Sequence, residues 1–342
     1  EANKKRLSQA LLKRDGFVVT AELVGGPNFS YMPVEKFLRA HNASGGKDIP
    51  AGFNFTGIMS PQSPGGVANI EPADMHRYLV SKNLLGELDF IPHISCKDAN
   101  ADAIVSLLMA HRAAGVESVL ALTGDKPVAS KGVFELESMG LLSKITRINN
   151  EAFLSAKAEN LAATKQFFAG AAVSPFKYTE QSQMQQYFKM EKKIACGAKF
   201  LVTQVGWDWK KSAELLRYLK ENNIDIPVLG NVYLLSTITP APRLMHDIKL
   251  PGCFVSDELL AKVYSETVDE HMERAAEQIA MYKSIGAAGV DVGGVHDYEM
   301  FVKILKRAAE IGDGWEKYKD NLCWPAKKPF YLYADSGERV RL

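Results

Sequence analysis

Short apolar, β-branched runs alternate along the chain with longer stretches of helical period, and the alternation repeats eight times. The runs are FVVTAEL (17–23), GFNFTGIM (52–59), DFIPHIS (89–95), SVLALTG (118–124), FFAGAAVS (167–174), FLVTQVG (200–206), IPVLGNVY (226–233) and GVDVGG (289–294). They are continuously apolar rather than alternating, the pattern of strands covered on both faces in a parallel sheet. Between them, ADAIVSLLMAHRAAG (101–115), KSAELLRYLKENN (211–223) and VDEHMERAAEQIAMYKSIG (268–286) read as helices, several closing on Gly or Asn. Eight strand-then-helix units predict an α/β chain folded as a (β/α)8 TIM barrel over residues 1–312. Residues 313–342 turn aromatic, Pro-containing and charged, which predicts a short C-terminal extension packed on the barrel rather than a second domain. An open doubly wound sheet is the competing architecture, but no GxGxxG follows the first strand.

Composition narrows the classes of function. With 41 basic and 40 acidic side chains in 342 residues the formal charge is +1, which gives no electrostatic reason to expect a nucleic acid partner. No apolar run reaches 18 residues, so no membrane span is expected. Cys96, Cys196, Cys253 and Cys323 are widely spaced with no CxxC, which fits reduced thiols in a cytoplasmic protein better than a disulfide frame. The opening EANKKRLSQALLKRDG has no apolar core and is not read as a signal peptide; its lack of an initial Met suggests a trimmed end.

Active sites of such barrels lie at the C-terminal ends of the strands, so each run can be asked which polar group it delivers there. The first ends at Glu22, the second runs into Ser60-Pro61-Gln62, and the third reaches His93 and then Cys96-Lys97-Asp98. The fourth gives Thr123-Gly124-Asp125 and the fifth Ser174, with Lys177 and Tyr178 beyond. The sixth gives Thr203-Gln204 and then Asp208, the seventh Asn231, and the eighth approaches His296-Asp297. An acid in a run as apolar as FVVTAEL is costly unless hydrogen-bonded or kept neutral by a raised pKa, so Glu22 is the leading candidate for a general acid. Asp125, on a Gly-containing turn, is a second carboxylate in different surroundings and able to take a different role.

Other residues have plainer readings. His93 and Cys96 lack two further ligands for a metal site, and no metal is expected. Asp297 reads as the N-cap of the last helix, with His296 a loop residue beside it. Met190 is expected in the core, and Lys192-Lys193 by pattern alone on a solvated face. SPGGVAN (63–69) lacks the GK[ST] of a P-loop and is expected to shape the loop after the second strand.

Five of these segments, in order, carry a resemblance: Glu22 in VVTAEL, PHISCKDAN (92–100), VLALTGDKP (119–127), GAAVSPFKYTE (170–180) and KKIACGAKFLVTQVGWD (192–208). The chain resembles the methylenetetrahydrofolate reductase family over roughly residues 15–300. The resemblance implies a barrel holding FAD that reduces 5,10-methylenetetrahydrofolate to 5-methyltetrahydrofolate in one-carbon metabolism. It implies that Glu22 assists opening of the five-membered ring, that Asp125 stabilises the resulting 5-iminium cation, and that Gln204 binds the pterin, with Asn231 also assigned to the substrate. It places flavin contacts on His93, Leu122, Thr123, Gly124, Asp125, Ala172 and Lys193, with Ser174 and Tyr178 in the strand-five loop. The chain departs from the family's better-known bacterial members in carrying Thr123 for Arg, Ser174 and Tyr178 for an aromatic and a His, Gln186 for an acid, and GGVHDYE after the eighth strand. These departures leave NADH or a partner protein as the electron donor. A flavin-independent methyltransferase, moving a methyl group between tetrahydrofolate and a corrinoid protein, stands as the alternative, and a homo-oligomer is compatible with either.

Overall fold

The computed structural model describes residues 6–14, 16–155 and 166–333. The sequence readings of 1–5 and 334–342 lie outside the described residues. Eight strands form one closed parallel barrel in sequence order: β1 (Phe17–Glu22), β2 (Phe53–Ser60), β3 (Asp89–Ser95), β4 (Ser118–Leu122), β5 (Phe168–Val173), β6 (Phe200–Thr203), β7 (Val228–Tyr233) and β8 (Gly289–Gly293). The outer layer contains α2 (Met32–Ser44), α3 (Pro72–Ser81), α4 (Ala101–Ala113), α5 (Ser138–Ser155), α6 (Glu180–Ala195), α7 (Trp209–Glu221), α10 (Val268–Ser284) and α11 (Tyr298–Ile311), one after each strand. The chain is therefore the (β/α)8 barrel that its apolar pattern predicts, although several strands end one to three residues before the runs do.

Two features escaped the sequence reading. The helix α1 (Leu7–Lys13) lies in the segment considered only as a signal peptide. Its Leu7, Ala10 and Leu11 pack with Val18, Ile91, Leu120, Phe168, Phe200 and Leu229 inside the barrel, so α1 plugs its N-terminal end. Second, the segment between β7 and α10 carries two short helices, α8 (Ala241–His246) and α9 (Asp257–Ser265), rather than a simple loop.

Because strand side chains alternate with period two, one register of each strand faces the barrel axis. Val18, Met59, Ile91, Leu120, Phe168, Phe200 and Leu229 form the interior apolar layers, with the Phe168 and Phe200 rings stacked at 5.3 Å. The same register continued toward the C-terminal ends brings Glu22, His93, Leu122, Ala172, Gln204, Asn231, Tyr233 and Asp291 to one mouth.

The segment after α11 continues as 3-10 turns over Gly312–Leu322 and runs back across the barrel. Trp324 N–H donates to the Trp207 carbonyl (2.8 Å), Phe330 N–H to the Tyr178 carbonyl (3.1 Å) and Tyr331 O–H to Asp208 (2.9 Å). Leu332 N–H donates to Glu214, whose other oxygen takes the fully buried Lys211 ammonium at 3.0 Å and the Tyr187 hydroxyl at 3.1 Å. Glu214 thus neutralises a buried cation and holds the tail. Removing one partner of a buried pair strands the other, so Glu214→Ala is expected to cost about 3–5 kcal/mol. Chemical denaturation checks this; a loss below about 1 kcal/mol, the size of an exposed pair, would show that water reaches Lys211.

Candidate active site

The mouth of the barrel is a cavity of about 490 Å³, within the range of small-molecule sites. Ten of the residues expected at the site line it: Glu22, His93, Leu122, Thr123, Gly124, Asp125, Ala172, Lys193, Gln204 and Asn231. The structure does not bring Ser174 and Tyr178 there. Tyr178 turns instead toward Asp208, packs on Phe254 at 5.6 Å and lies under the tail.

Glu22 ends β1, and β1 pairs with β8 so that Thr20 stands opposite Asp291. Asp291 is fully buried, accepts a hydrogen bond from the Thr20 hydroxyl at 2.7 Å and has its second oxygen unpartnered among the described residues. Burial first, and then the Asp291 charge, push the Glu22 carboxyl far above the usual carboxylate range. Burial likewise raises Asp291, against the opposing Thr20 bond. Two carboxyls so placed cannot both ionise near neutrality, so the pair retains a proton. Sequence reading missed Asp291, although GVDVGG carries an acid in an apolar run just as FVVTAEL does. Tyr233 was missed too; it lines the cavity beside Glu22, and burial and then the Glu22 charge push its phenol up to about 12.

Across the cavity, Asp125 sits on the turn after β4, half-buried, and accepts the Gly65 N–H at 3.1 Å. Burial raises its carboxyl, while that bond and Lys97 oppose the shift. The glycines of this region serve close approach: Gly66 (φ +75°) packs so tightly on the Lys126 carbonyl that a Cβ would come within 2.2 Å, and at Gly124 (φ +87°) a Cβ would meet the Ser95 hydroxyl at 2.0 Å. The SPGG segment therefore braces the Asp125 turn, the loop-shaping role expected of it. Thr123 accepts the Ser138 N–H (3.1 Å) and so fixes the start of α5 to the same turn. Gln204 follows β6; its amide oxygen takes the Val205 N–H (2.8 Å) and Gly252 packs against its nitrogen.

The remaining wall has unsatisfied or lightly used polar groups. His93 is buried and its Nε2 has no partner among the described residues; burial holds its imidazole neutral, down to about 3. The Asn231 amide oxygen is likewise unpartnered. Lys193 on α6, read by pattern as solvated, reaches in to donate to the Ala172 carbonyl at 2.7 Å, and burial, helped by Lys189, lowers it to about 8. His296, set aside in the sequence as a loop residue, also lines the cavity, while Asp297 caps α11 by accepting the Met300 N–H at 2.9 Å. Met245, Leu250 and Cys253, from the β7–α10 segment, close one side.

The arrangement therefore sets a protonated carboxyl pair on one side of an enclosed space and a carboxylate with an amide on the other. Orphaned ring and amide groups lie between them, matching a heterocycle rich in donors and acceptors.

Comparison with known proteins gives this geometry a context. The methylenetetrahydrofolate reductase family model matches residues 75–308. An uncharacterized protein from Clostridium thermocellum that binds two copies of 5-methyl-5,6,7,8-tetrahydrofolic acid is similar in structure, with a TM-score of 0.56 and 12% identity over 89% of this chain and 99% of that one. The 2,3-dimethylmalate lyase of the PEP mutase/isocitrate lyase superfamily has a TM-score of 0.48 and 10% identity over 94% of this chain and 88% of that one. No curated protein sequence matches the chain. At 12% identity the likeness to the Clostridium thermocellum protein carries the barrel fold alone, but the family match spans well over half of the 342 residues, and the chain belongs to the methylenetetrahydrofolate reductase family.

Proposed function

We propose that this protein reduces 5,10-methylenetetrahydrofolate to 5-methyltetrahydrofolate with a flavin bound in the same barrel mouth. The observation that carries the reading is the pair formed by half-buried Glu22 and fully buried Asp291, which lines one cavity with Asp125 and Gln204. Folate one-carbon chemistry follows from the family, and the Clostridium thermocellum protein, which binds methyltetrahydrofolate on a similar barrel, agrees with it.

Opening the imidazolidine ring breaks the bond from the methylene carbon to N10 and would leave negative charge on an aryl amine nitrogen, a poor leaving group unless protonated. Glu22 holds a proton at neutral pH because burial and Asp291 disfavour its charged form, so it is the group to deliver that proton. The 5-iminium cation formed at the other nitrogen gains from a fixed carboxylate, which Asp125 provides on its braced turn. Gln204 and Asn231 orient the pterin by amide hydrogen bonds.

The residues present suit the ring system of a flavin. His93 offers an unpartnered neutral nitrogen, and Lys193 places an ammonium beside Ala172 and the Thr123-Gly124-Asp125 turn. Such groups can pair with ring carbonyls and tune the electron density of the ring. A flavin held by His93, Lys193 and the Thr123-Gly124-Asp125 turn, and reduced by NADH or an electron-donor protein, would supply the hydride for the methylene carbon.

An anaerobic spectrum tests the reading directly. The purified protein is expected to take up FAD, and added 5-methyltetrahydrofolate is expected to bleach the oxidised flavin. A protein that binds no flavin yet transfers a methyl group from methyltetrahydrofolate to a corrinoid protein would establish the methyltransferase reading instead.

Glu22→Gln keeps shape and removes the proton. Reduction of methylenetetrahydrofolate should fall by about 10²–10⁴, the usual contribution of general acid catalysis, with flavin reduction by the electron donor nearly unchanged. Equal losses in both half-reactions, measured by stopped-flow, would make Glu22 structural. Asp125→Ala and Gln204→Ala should each weaken binding of 5-methyltetrahydrofolate by roughly tenfold, about 1.4 kcal/mol, while thermal unfolding stays near wild type for Asp125→Ala. Titration calorimetry checks the affinities.

The pair also predicts a pH signature. Asp291 is the second cause of the raised Glu22 carboxyl, so Asp291→Asn should move the alkaline fall of methylenetetrahydrofolate reduction to lower pH. A carboxyl raised in the fold contributes stability below its unfolded pKa and loses it as pH rises through the folded value. Asp291→Asn removes one such group, so the variant should lose less stability than wild type between mildly acidic and alkaline pH. Parallel rate profiles and denaturation midpoints decide both points; an unshifted rate profile would uncouple Asp291 from Glu22.

A further inference from the structure

One inward row lies above Asp291 where β1, β8 and β7 run side by side. In the register of β7 on β8, Asn231 stands opposite Asp291 and Tyr233 opposite Gly293. On the other side of β8, Thr20 pairs with Asp291 and Ala21 with Val292, so Glu22 follows at the level of Gly293. The upper row therefore reads Glu22, Gly293, Tyr233, with no side chain at its centre. A Cβ at Gly293 would lie 3.2 Å from Tyr233 Cδ2 and 3.5 Å from Glu22 Oε1, so ring and carboxyl flank the space that a side chain there would take.

We propose that Tyr233 is the positioning residue of the acid: its ring, reaching over Gly293 and Gly294, keeps water off the covered side of Glu22 and so holds the proton there. The proposal rests on the reading of Glu22 as the proton donor.

The ring is fixed from several directions. A Cβ at Gly294 (φ +74°) would meet its Cζ, Cε1 and Cε2 at 2.9–3.1 Å, so the ring lies face down on that glycine. The apolar cluster that includes Val205, Met245 and Val255 packs against it. Thr239 hydrogen-bonds its hydroxyl.

Charge does not account for the proton alone. Of the titratable groups around Glu22, Asp291 comes from β8, Tyr233 from β7, Cys253 from the β7–α10 segment and His296 from the loop after β8. His93, Asp125 and Lys193 reach the same cavity from β3, the turn after β4 and α6. Asp291 is the charge that adds to the raised Glu22 carboxyl, and it comes second to burial. Glu22 is only half-buried, since part of it opens on the cavity, so its desolvation depends on what covers the rest. Toward β8 its own level offers only Gly293, and the bulk on that side is the Tyr233 ring. Burial and then the Glu22 charge push the phenol up to about 12, so the ring stays uncharged at neutral pH. An uncharged ring favours the protonated carboxyl by excluding water, whereas a cation in its place would favour the carboxylate.

Infrared titration of the carboxyl C=O stretch tests this without folate or flavin, the Glu22 band being the one lost in Glu22→Gln. Wild type is expected to keep that band through neutral pH. Tyr233→Ala admits water and should lower its midpoint by about one pH unit, a tenfold loss of proton affinity. Tyr233 is partly exposed on an open cavity, so truncation widens the mouth instead of leaving a sealed void. Tyr233→Gln, which keeps much of the length but brings a polar group to the carboxyl, should shift the midpoint the same way and serves where the Ala variant misfolds. Tyr233→Phe keeps the ring and should titrate like wild type. The alkaline fall of methylenetetrahydrofolate reduction should move to lower pH in the same order. A midpoint unmoved in the Ala or Gln variant, or a Phe variant that titrates like them, would overturn the shielding role alone. A wild type whose Glu22 is ionised at neutral pH would overturn the acid itself, and the role of Tyr233 with it.

Discussion

Closure of the sheet governs everything else in this molecule. Once eight parallel strands close, each can present only every second side chain to the interior. Large apolar groups fill the lower layers, with Phe168 and Phe200 stacked across adjacent strands and Leu11 of α1 entering from below. The interior register then reaches the cavity lined by Glu22 and Asp125 at the C-terminal rim. The pairing of β1 with β8, the final step of closure, sets Thr20 opposite Asp291 and Glu22 one inward position higher. Neither acid would be remarkable alone; held together in a buried rim they must share a proton.

That enforced sharing separates the roles of the acids at the site. Glu22 and Asp291 lie on strands, surrounded by apolar layers and by each other, and burial dominates both. Asp125 lies on a turn, where the Gly65 N–H and Lys97 oppose the same burial. A proton donor and a resident anion are therefore available in one cavity at the same pH, which suits a reaction in which one substrate nitrogen must gain a proton while its neighbour becomes cationic.

Much of this was legible in the chain, and the exceptions have physical causes. Continuous apolar runs mark strands covered on both sides, so the barrel could be read from eight of them. Most rim residues could then be taken from strand ends. Asp291 could not, because strands in a barrel are staggered and the end of a strand does not lie at one height all round; in β8 the rim position falls two residues before the strand finishes. Tyr178 failed for a different reason. It follows β5 in sequence, but Asp208 and the tail around Phe330 draw it away from the rim, and contacts with residues so distant in sequence leave no local trace. The β7–α10 segment supplies Met245, Leu250 and Cys253 to the cavity wall for a reason equally invisible locally: its two short helices pack on Trp207 and on one another.

The region matched by the family begins in α3 and ends in α11, so it contains Asp125, Gln204 and Asp291 but not β1. Closure makes the missing strand indispensable. Without β1, Asp291 would face an open edge, lose the Thr20 hydroxyl and have water in place of a second carboxyl. Its proton affinity would fall toward that of an ordinary aspartate. Asp125, Gln204 and Asp291 thus lie within the matched region, whereas the carboxyl pair is completed by Glu22 of the first strand. The charge state of Asp291 is accordingly set by the strand that closes against it, and the site holds its proton where closure brings Glu22 beside it.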